Sequence, residues 1–178
     1  KCRGISGSLV FCVFIAQSEH YFGLFSNAMR EIMISATERL QYLCDTIPAL
    51  ISHISEQEFS HKLSANKWSK KQILGHLIDS AANNHQRFVR VQFEETPFIV
   101  YDQDNWNACS RYQDMEPAHV IAFWEAYNRH LLEVLKRIPA ERLSRTCKTN
   151  EAEPVTLLWL VEDYVKHLEY HLRQIVEY

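Results

Sequence analysis

The chain has 178 residues and is 47% apolar, which suffices for one domain with a sizeable core but not for two comfortable ones. Its formal net charge of −3 and its scattered Lys and Arg residues argue against a nucleic-acid partner. The five cysteines are widely spaced and form no CxxC motif, which argues against a zinc ribbon and fits a reducing compartment. We therefore predict a cytoplasmic protein, not held in a membrane, whose partner is a small molecule or another protein.

The N-terminal segment is set apart from the predicted fold. KCRGISGSLVFCVFIAQS has a basic start, an apolar run over residues 9–16 and small residues after it, loosely like a secretion signal. The run is too short to span a bilayer. Because the chain begins with Lys, the other interpretations are that it is a fragment or that it carries translated upstream sequence, with Met29 or Met33 as the start. We expect residues 1–28 to be a signal-like or spurious extension and residues 29–178 to be the domain, with export as the alternative location.

The first half of the domain predicts two long helices. Apolar residues follow a helical period between Ile32 and Ile54, and Pro48 is expected to kink or restart this helix. SEQE at residues 55–58 is a capping-box pattern that opens a short helix. A second such box, formed by Ser69 and Gln72, predicts the start of the second long helix, which should end near residue 93.

The second half predicts a long loop and two further helices. EETPFIVYDQDNWNACSRYQDMEP lacks a helical period and is rich in turn formers, so residues 94–117 are predicted to be a loop. The third helix should run from about Pro117 to Arg137 with an inward stripe, and Thr156 is a plausible N-cap for the last helix. Together these segments predict an all-α four-helix bundle with a long loop between the second and third helices. The predicted inward stripe of the third helix is Val120, Phe123, Tyr127, Leu131, Leu135 and Ile138.

Two histidines lie on the inward face of the last helix. His167 and His171 are about one helical turn apart and share their face with Leu160 and Tyr164. A buried imidazole needs a partner such as a metal ion, a carboxylate or a water molecule. The spacing by itself is weak evidence for a metal, so a third ligand on another helix is required.

The second helix offers that third histidine. His76 shares the inward side of the helix with Ile73 and Leu77, whereas His85 is nine residues further on and is predicted to face solvent. Three neutral imidazoles suit zinc, nickel or ferrous iron, with zinc favoured, and leave positions open for water or substrate. His76, with the two histidines of the last helix, is therefore a candidate metal site.

Several polar and aromatic residues near these positions have two interpretations each. Asp79 is either an orienter of a ligand ring or a surface charge or ion-pair partner of an arginine. Asn83 and Arg87 either line a pocket or hydrogen-bond to the long loop. In that loop, Tyr101 and Trp106, together with Asp102, either cover an open metal position or simply pack the loop onto the bundle.

KWSKKQILGHLIDSAANNHQRF, YDQDNW and YVKHLEYHLRQI carry a family resemblance. Their combination is similar to the DinB-like superfamily of four-helix-bundle metalloproteins, especially its YfiT-type branch, over about residues 33–178. In that family one histidine of the second helix and two of the last bind the metal, which implies His76, His167 and His171 here. The chain departs from the family at Gly75, where close relatives often carry another histidine.

The resemblance implies a divalent-metal protein, with a homodimer also expected. The family includes bacillithiol-type and mycothiol-type transferases as well as hydrolases that use metal-bound hydroxide. Hydrolysis is helped by a base beside the metal, and Gly75 leaves that role without an occupant. We therefore favour a metal-dependent S-transferase acting on a low-molecular-weight thiol, with a hydrolase acting on another small substrate as the alternative. A non-catalytic, stress-related metal-binding bundle is the third interpretation.

Overall fold

Four long helices form the bundle. The computed structural model describes the backbone of residues 8–178 and the side chains of residues 27–178. Residues 1–7 of the signal-like segment lie outside the described residues. The helices are α1 (Ser8–Ser52), α2 (Glu56–Ser60), α3 (Lys70–Arg90), α4 (Gln103–Ser110), α5 (Pro117–Leu135) and α6 (Leu157–Leu172). Two short strands, β1 (Thr146–Cys147) and β2 (Val155–Thr156), pair antiparallel between α5 and α6.

The order of the long helices around the bundle brings α3 beside α6. Helix α1 packs against α5 and α6, and α3 packs against the same two helices. The first two long helices of the chain therefore occupy opposite corners. This arrangement confirms the predicted four-helix bundle, and it places the inward faces of α3 and α6 next to each other. Within the described residues, no helix is both long enough and apolar enough to cross a membrane.

The helix starts follow the predicted caps. The Ser69 hydroxyl accepts a hydrogen bond from the Gln72 backbone N–H, and the Gln72 side chain accepts one from the Ser69 N–H, so the capping box of α3 is complete. Ser55 caps α2 and Thr156 caps α6 through a single hydrogen bond each, which the side-chain hydroxyl accepts from a backbone N–H. Pro48 lies inside α1, which continues to Ser52 without restarting.

The core is made by apolar side chains from all four long helices, with two errors in the predicted stripes. Phe123 was expected to point inward but is 48% exposed, and its neighbour Trp124 is fully buried instead. Ile32, near the start of the predicted stripe of α1, is 37% exposed. Fully buried members of the core include Leu40, Leu43, Ile47, Leu74, Leu77, Leu131, Leu157 and Leu168.

The segment predicted as a loop contains α4 and a short 3-10 turn at Tyr112–Asp114. Asp102 begins α4 by accepting hydrogen bonds from the N–H groups of Asp104 and Asn105, and Arg111 ends it in a left-handed conformation. Upstream of α4, Ile99 N–H donates to the Lys148 carbonyl at 3.0 Å, which ties the segment to the connector before α6. The long loop predicted between the second and third long helices therefore contains a short helix that its sequence pattern did not indicate.

Candidate metal centre

Three histidine side chains converge where α3 and α6 meet. His76 projects from α3, and His167 and His171 project from α6 one turn apart. The ring centroids are 4.7–5.1 Å apart, and one ligand nitrogen of each histidine lies within 4.8 Å of the others. The structure thus brings together the three residues that the sequence selected.

The spacing of the nitrogens of His76 and His167 suits one metal ion. Nε2 of His76 and Nε2 of His167 are 3.1 Å apart. With metal–nitrogen distances of about 2.0–2.1 Å, that separation corresponds to a ligand–metal–ligand angle of about 98°, between the octahedral and the tetrahedral value. The donor set is therefore compatible with zinc, nickel and ferrous iron, and it does not distinguish among them.

Burial keeps the imidazoles neutral. His76 is 1% exposed, and burial together with the nearby His167 and His171 lowers its pKa from 6.5 to about 3. Burial likewise lowers the pKa of His167 to about 4, and it lowers the pKa of the half-buried His171. Because ligation requires the unprotonated imidazole, all three side chains have a free lone pair at neutral pH.

The remaining ring nitrogens have different surroundings. Nδ1 of His167 lies 3.4 Å from the Ser80 hydroxyl, and Nδ1 of His171 lies 3.4 Å from the Gln174 amide. Nδ1 of His76 is buried and has no hydrogen-bond partner among the described residues. The Trp68 ring lies against His76, with ring centroids 5.0 Å apart. Such neighbours fix the orientation of a ligand ring and restrict the directions from which a substrate can approach.

Asp79 lies in the interior and not on the helix surface. It is 3% exposed, and one carboxylate oxygen accepts a hydrogen bond from the Tyr112 hydroxyl at 2.6 Å. The other oxygen is buried without a partner in the described part of the chain. Burial raises the Asp79 pKa to about 6, against the opposing effect of hydrogen bonds from Tyr112 and Ser110. Asp79 is therefore not a surface charge, which was one of its two interpretations, and no contact with an arginine or a ligand histidine appears among its described hydrogen bonds and ion pairs.

Gly75 explains how Tyr112 reaches Asp79. A Cβ atom at position 75 would overlap Cγ and Cδ2 of Tyr112 and would come within 2.8 Å of its Cβ. The missing side chain therefore makes room for the tyrosine ring, which is 5% exposed. The position that departs from the family pattern next to the first ligand is thus occupied by an aromatic ring from the segment between α3 and α5.

Asn83 and Arg87 serve the helix and the loop. The Asn83 amide donates to the Asp79 carbonyl of its own helix at 2.9 Å. Two nitrogens of the half-buried Arg87 donate to the Ile99 carbonyl at 3.0 and 3.3 Å, and a third donates to the Asn84 side chain. Of the two interpretations of Arg87, the structure supports the one in which it hydrogen-bonds to the loop.

The aromatic residues of the loop pack against each other. Tyr101 and Trp106 form an edge-to-face pair with ring centroids 5.5 Å apart, and Trp106 is 39% exposed. Asp102 between them caps α4. None of these three residues lines the cleft beside the histidines. Tyr101 is half-buried beside Ser80, whose hydroxyl lies 3.4 Å from Nδ1 of His167. The aromatic cover and the plain packing of the loop therefore both stay predictions.

A cleft of about 960 Å³ opens beside the histidines. His171 forms part of its wall, so the cleft gives access to the histidine cluster from solvent. Sequence analysis did not select its other walls. Trp68 precedes a recognisable helix start and was detectable in principle, whereas the contribution of α4 depends on a helix that the sequence pattern did not indicate. Lining residues include Lys67, Trp68, Ile73, Gln103, Asp104 and Gln174.

The other histidines with described side chains are not members of the cluster, although His61 lines the same cleft as His171. His85 was expected to face solvent but is half-buried, with Nδ1 3.3 Å from the Tyr127 hydroxyl. The side chain of His20 lies outside the described residues. Four histidines are exposed as expected: His53, His61, His119 and His130.

Sequence comparison identifies the family. Residues 39–175 match the DinB superfamily. The chain belongs to this superfamily. A Bacillus subtilis protein named "Putative metal-dependent hydrolase YfiT" is 27% identical over 112 residues, which cover 62% of this chain and 63% of YfiT. A protein of Halalkalibacterium halodurans with the same provisional description is 24% identical over 129 residues, 71% of this chain and 74% of the relative.

Solved structures of other proteins share the fold. The structure of YfiT from Bacillus subtilis, described as a probable metal-dependent hydrolase with an unusual four-helix bundle topology, superimposes with a TM-score of 0.66. That match has 18% identity and covers 98% of this chain and 89% of YfiT. A mycothiol-dependent maleylpyruvate isomerase superimposes with a TM-score of 0.67 at 11% identity, covering 80% of this chain and 60% of the isomerase. These likenesses establish the bundle fold of this superfamily member.

Proposed function

We propose that this DinB superfamily protein binds one divalent metal ion, preferably zinc, through His76, His167 and His171. We further propose that it uses the bound ion to activate a low-molecular-weight thiol for transfer to an electrophile. The observation that carries the proposal is the convergence of three neutral imidazoles at the edge of an open cleft. Three protein ligands leave a coordination position for a substrate atom, which is the arrangement of catalytic and not of structural metal sites.

The residues around that coordination position have separate roles. A bound divalent ion lowers the pKa of a coordinated thiol or water molecule, so a nucleophile becomes available at neutral pH. Trp68 shields His76 on one side, and Ser80 lies beside the outer nitrogen of His167. The exposed mouth of the cleft, beside His171, is the side from which a thiol can approach.

The polar walls of the cleft fit a small substrate with ionic groups. Lys67 supplies an ammonium group and Asp104 a carboxylate, and neither has an ion-pair partner among the described residues. The amides of Gln103 and Gln174 add donors and acceptors. A polar thiol that carries both an amine and a carboxylate is therefore the substrate class that the cleft suits best.

Thiol transfer is preferred over hydrolysis because a bound ion can activate a thiol without a general base, and the position before the first ligand is Gly75. Glu58 at the cleft is held by Lys70 at 2.7 Å, and Asp79 is turned toward Tyr112 in the interior. Hydrolysis is the second candidate, because the relatives from Bacillus subtilis and Halalkalibacterium halodurans are named as hydrolases and Asp104 lines the cleft. The thiol dependence named for the structurally similar isomerase supports the first candidate.

Metal content tests the site. Protein purified without an affinity tag should contain one divalent ion per chain, and His171→Ala should lose it because two imidazoles bind far more weakly than three. His53→Ala removes an exposed histidine away from the cluster and should leave the metal content unchanged. Stoichiometric metal in a folded variant that lacks all three cluster histidines would refute the assignment.

Activity tests the reaction. Zinc-loaded protein should accelerate conjugation of one member of a panel of cellular thiols to a generic electrophile, and His167→Ala should abolish the acceleration. Conjugation at the same rate in both proteins, together with zinc-dependent cleavage of an ester or amide, would establish the hydrolase instead. If neither activity occurs and the protein folds only with metal, the non-catalytic interpretation replaces both.

A further inference from the structure

A second pair of histidines lies between α3 and α5. His85 projects from α3 and His130 from α5, and their ring centroids are 5.0 Å apart at an interplanar angle of 72°. His85 is half-buried, whereas His130 is exposed. Neither residue belongs to the cluster between α3 and α6, so the pair is a separate feature of the bundle.

The geometry of this pair matches that of the histidine cluster. The three ring pairs in the cluster have centroid separations of 4.7–5.1 Å and interplanar angles of 72–74°. The values for His85 and His130 fall within both ranges. The rings of His85 and His130 are therefore as close to each other as the ring pairs of the cluster and cross at a similar angle, with two rings in place of three.

The surroundings prepare His85 for ligation. The Tyr127 hydroxyl lies 3.3 Å from Nδ1 of His85, and the two rings pack edge to face. This contact fixes the ring and leaves Nε2 for another partner. Burial and the neighbouring His130 lower the pKa of His85, so its imidazole is neutral at physiological pH. Fixing a ligand in advance reduces the entropy lost on binding.

We propose that His85 and His130 form a second, solvent-accessible site for a divalent transition metal, with Tyr127 as a positioning residue for His85. Two imidazoles favour zinc, nickel or copper over magnesium or calcium, which prefer oxygen ligands. Because His130 is exposed and only two protein ligands are present, the ion is held more weakly than in a three-histidine site and exchanges with solution. This inference does not depend on the proposed function.

Calorimetric titration of the full-length protein with Zn²⁺ tests the second site. Wild type should show two binding events, and His130→Gln should lose the weaker event while it retains the tight one. His119→Gln is the matched control, because it removes an exposed histidine from the same helix. Tyr127→Phe should weaken the second event by less than the loss of His130 does. The loss of one of two chelating ligands should reduce affinity by about tenfold or more.

The outcomes separate this site from the first. Failure of wild type to show a second event in a wide excess of Zn²⁺ would overturn the proposal. Persistence of the weaker event in both His130→Gln and His85→Asn would overturn it as well, as would its loss in the His119→Gln control. A missing tight event with an intact weaker one would refute the three-histidine site and leave the second site standing.

Discussion

Gly75→Ala places a methyl group where the Tyr112 ring now lies. Elsewhere in a helix this substitution stabilises a protein by about 0.5–1 kcal/mol, because glycine loses more backbone freedom on folding. Here the new Cβ would overlap two ring atoms of Tyr112, which is almost fully buried and has little room to move. We therefore expect the sign of the effect to be reversed.

The size of this destabilisation depends on the packing and the hydrogen bond that the Tyr112 side chain would lose. Overpacking in an interior costs about 1–3 kcal/mol. If Tyr112 moves, its hydrogen bond to the Asp79 carboxyl is also lost, which adds roughly 1.5–3 kcal/mol for a bond to a charged or partly charged group. After subtraction of the helix-propensity gain, Gly75→Ala should lower the free energy of unfolding by about 2–5 kcal/mol.

Urea denaturation at constant metal loading measures this effect, and a double-mutant cycle identifies its cause. In a Tyr112→Ala background the overlapping ring atoms are gone, so most of the penalty of Gly75→Ala should disappear. Ala82→Gly, at a half-buried position of the same helix, should cost about 1 kcal/mol and calibrates the propensity effect. A neutral or stabilising Gly75→Ala, or an equal effect in both backgrounds, would refute the reasoning.

Three further substitutions test other parts of the structure. Ser69→Ala removes the cap of α3 and the hydrogen bond from its hydroxyl to Gln113, and it should lower the free energy of unfolding by about 1–2 kcal/mol in urea denaturation. Arg87→Leu removes the donors to the Ile99 carbonyl, so amide hydrogen exchange in residues 99–110 should accelerate while exchange in α5 is little changed. Ser80→Ala should weaken metal binding by about tenfold in a competition assay if the hydroxyl orients His167, and unchanged affinity would exclude that role.

Strong helical periodicity explains why the bundle was predictable. The stripes of α1, α3, α5 and α6 and the caps at Ser69 and Thr156 depend on contacts within a few residues, which sequence spacing encodes directly. Phe123 was predicted to be buried in place of Trp124 because either of these adjacent large aromatic residues fits an inward stripe. Helix α4 was missed because its eight residues carry no apolar period and depend on the Asp102 cap.

The candidate site was predictable to the extent that helix faces determine it. His76, His167 and His171 lie on inward faces, and the family resemblance independently indicated the same residues. The cleft could not be predicted, because α4 and the residues before α3 form its walls through long-range packing. The environment of Asp79 was equally inaccessible, since it is created by Tyr112, which lies 33 residues further along the chain.

The buried carboxyl of Asp79 should make stability depend on pH in a direction opposite to that of most acidic residues. Its pKa is raised from an ordinary 3.8 to about 6, mainly by burial. The native state therefore holds the proton more tightly than the unfolded chain does, and this contribution to stability is lost as the pH rises through that interval. A shift of about two pH units corresponds to roughly 3 kcal/mol.

Asp79→Asn isolates that contribution, because an amide keeps an acceptor for the Tyr112 hydroxyl and carries no charge. At about pH 4 the two proteins should have similar stability, and by about pH 7.5 the variant should be more stable by up to roughly 3 kcal/mol. Asp102→Asn is a control for which the stability difference should change with pH in the opposite direction. Hydrogen bonds from Asn105 hold the Asp102 pKa below its usual range, so wild type should gain stability relative to this variant as the pH rises. Urea denaturation across this pH range, at fixed metal loading, measures both differences. A difference between wild type and Asp79→Asn that does not change with pH would show that the carboxyl is not held protonated by its burial beside Tyr112.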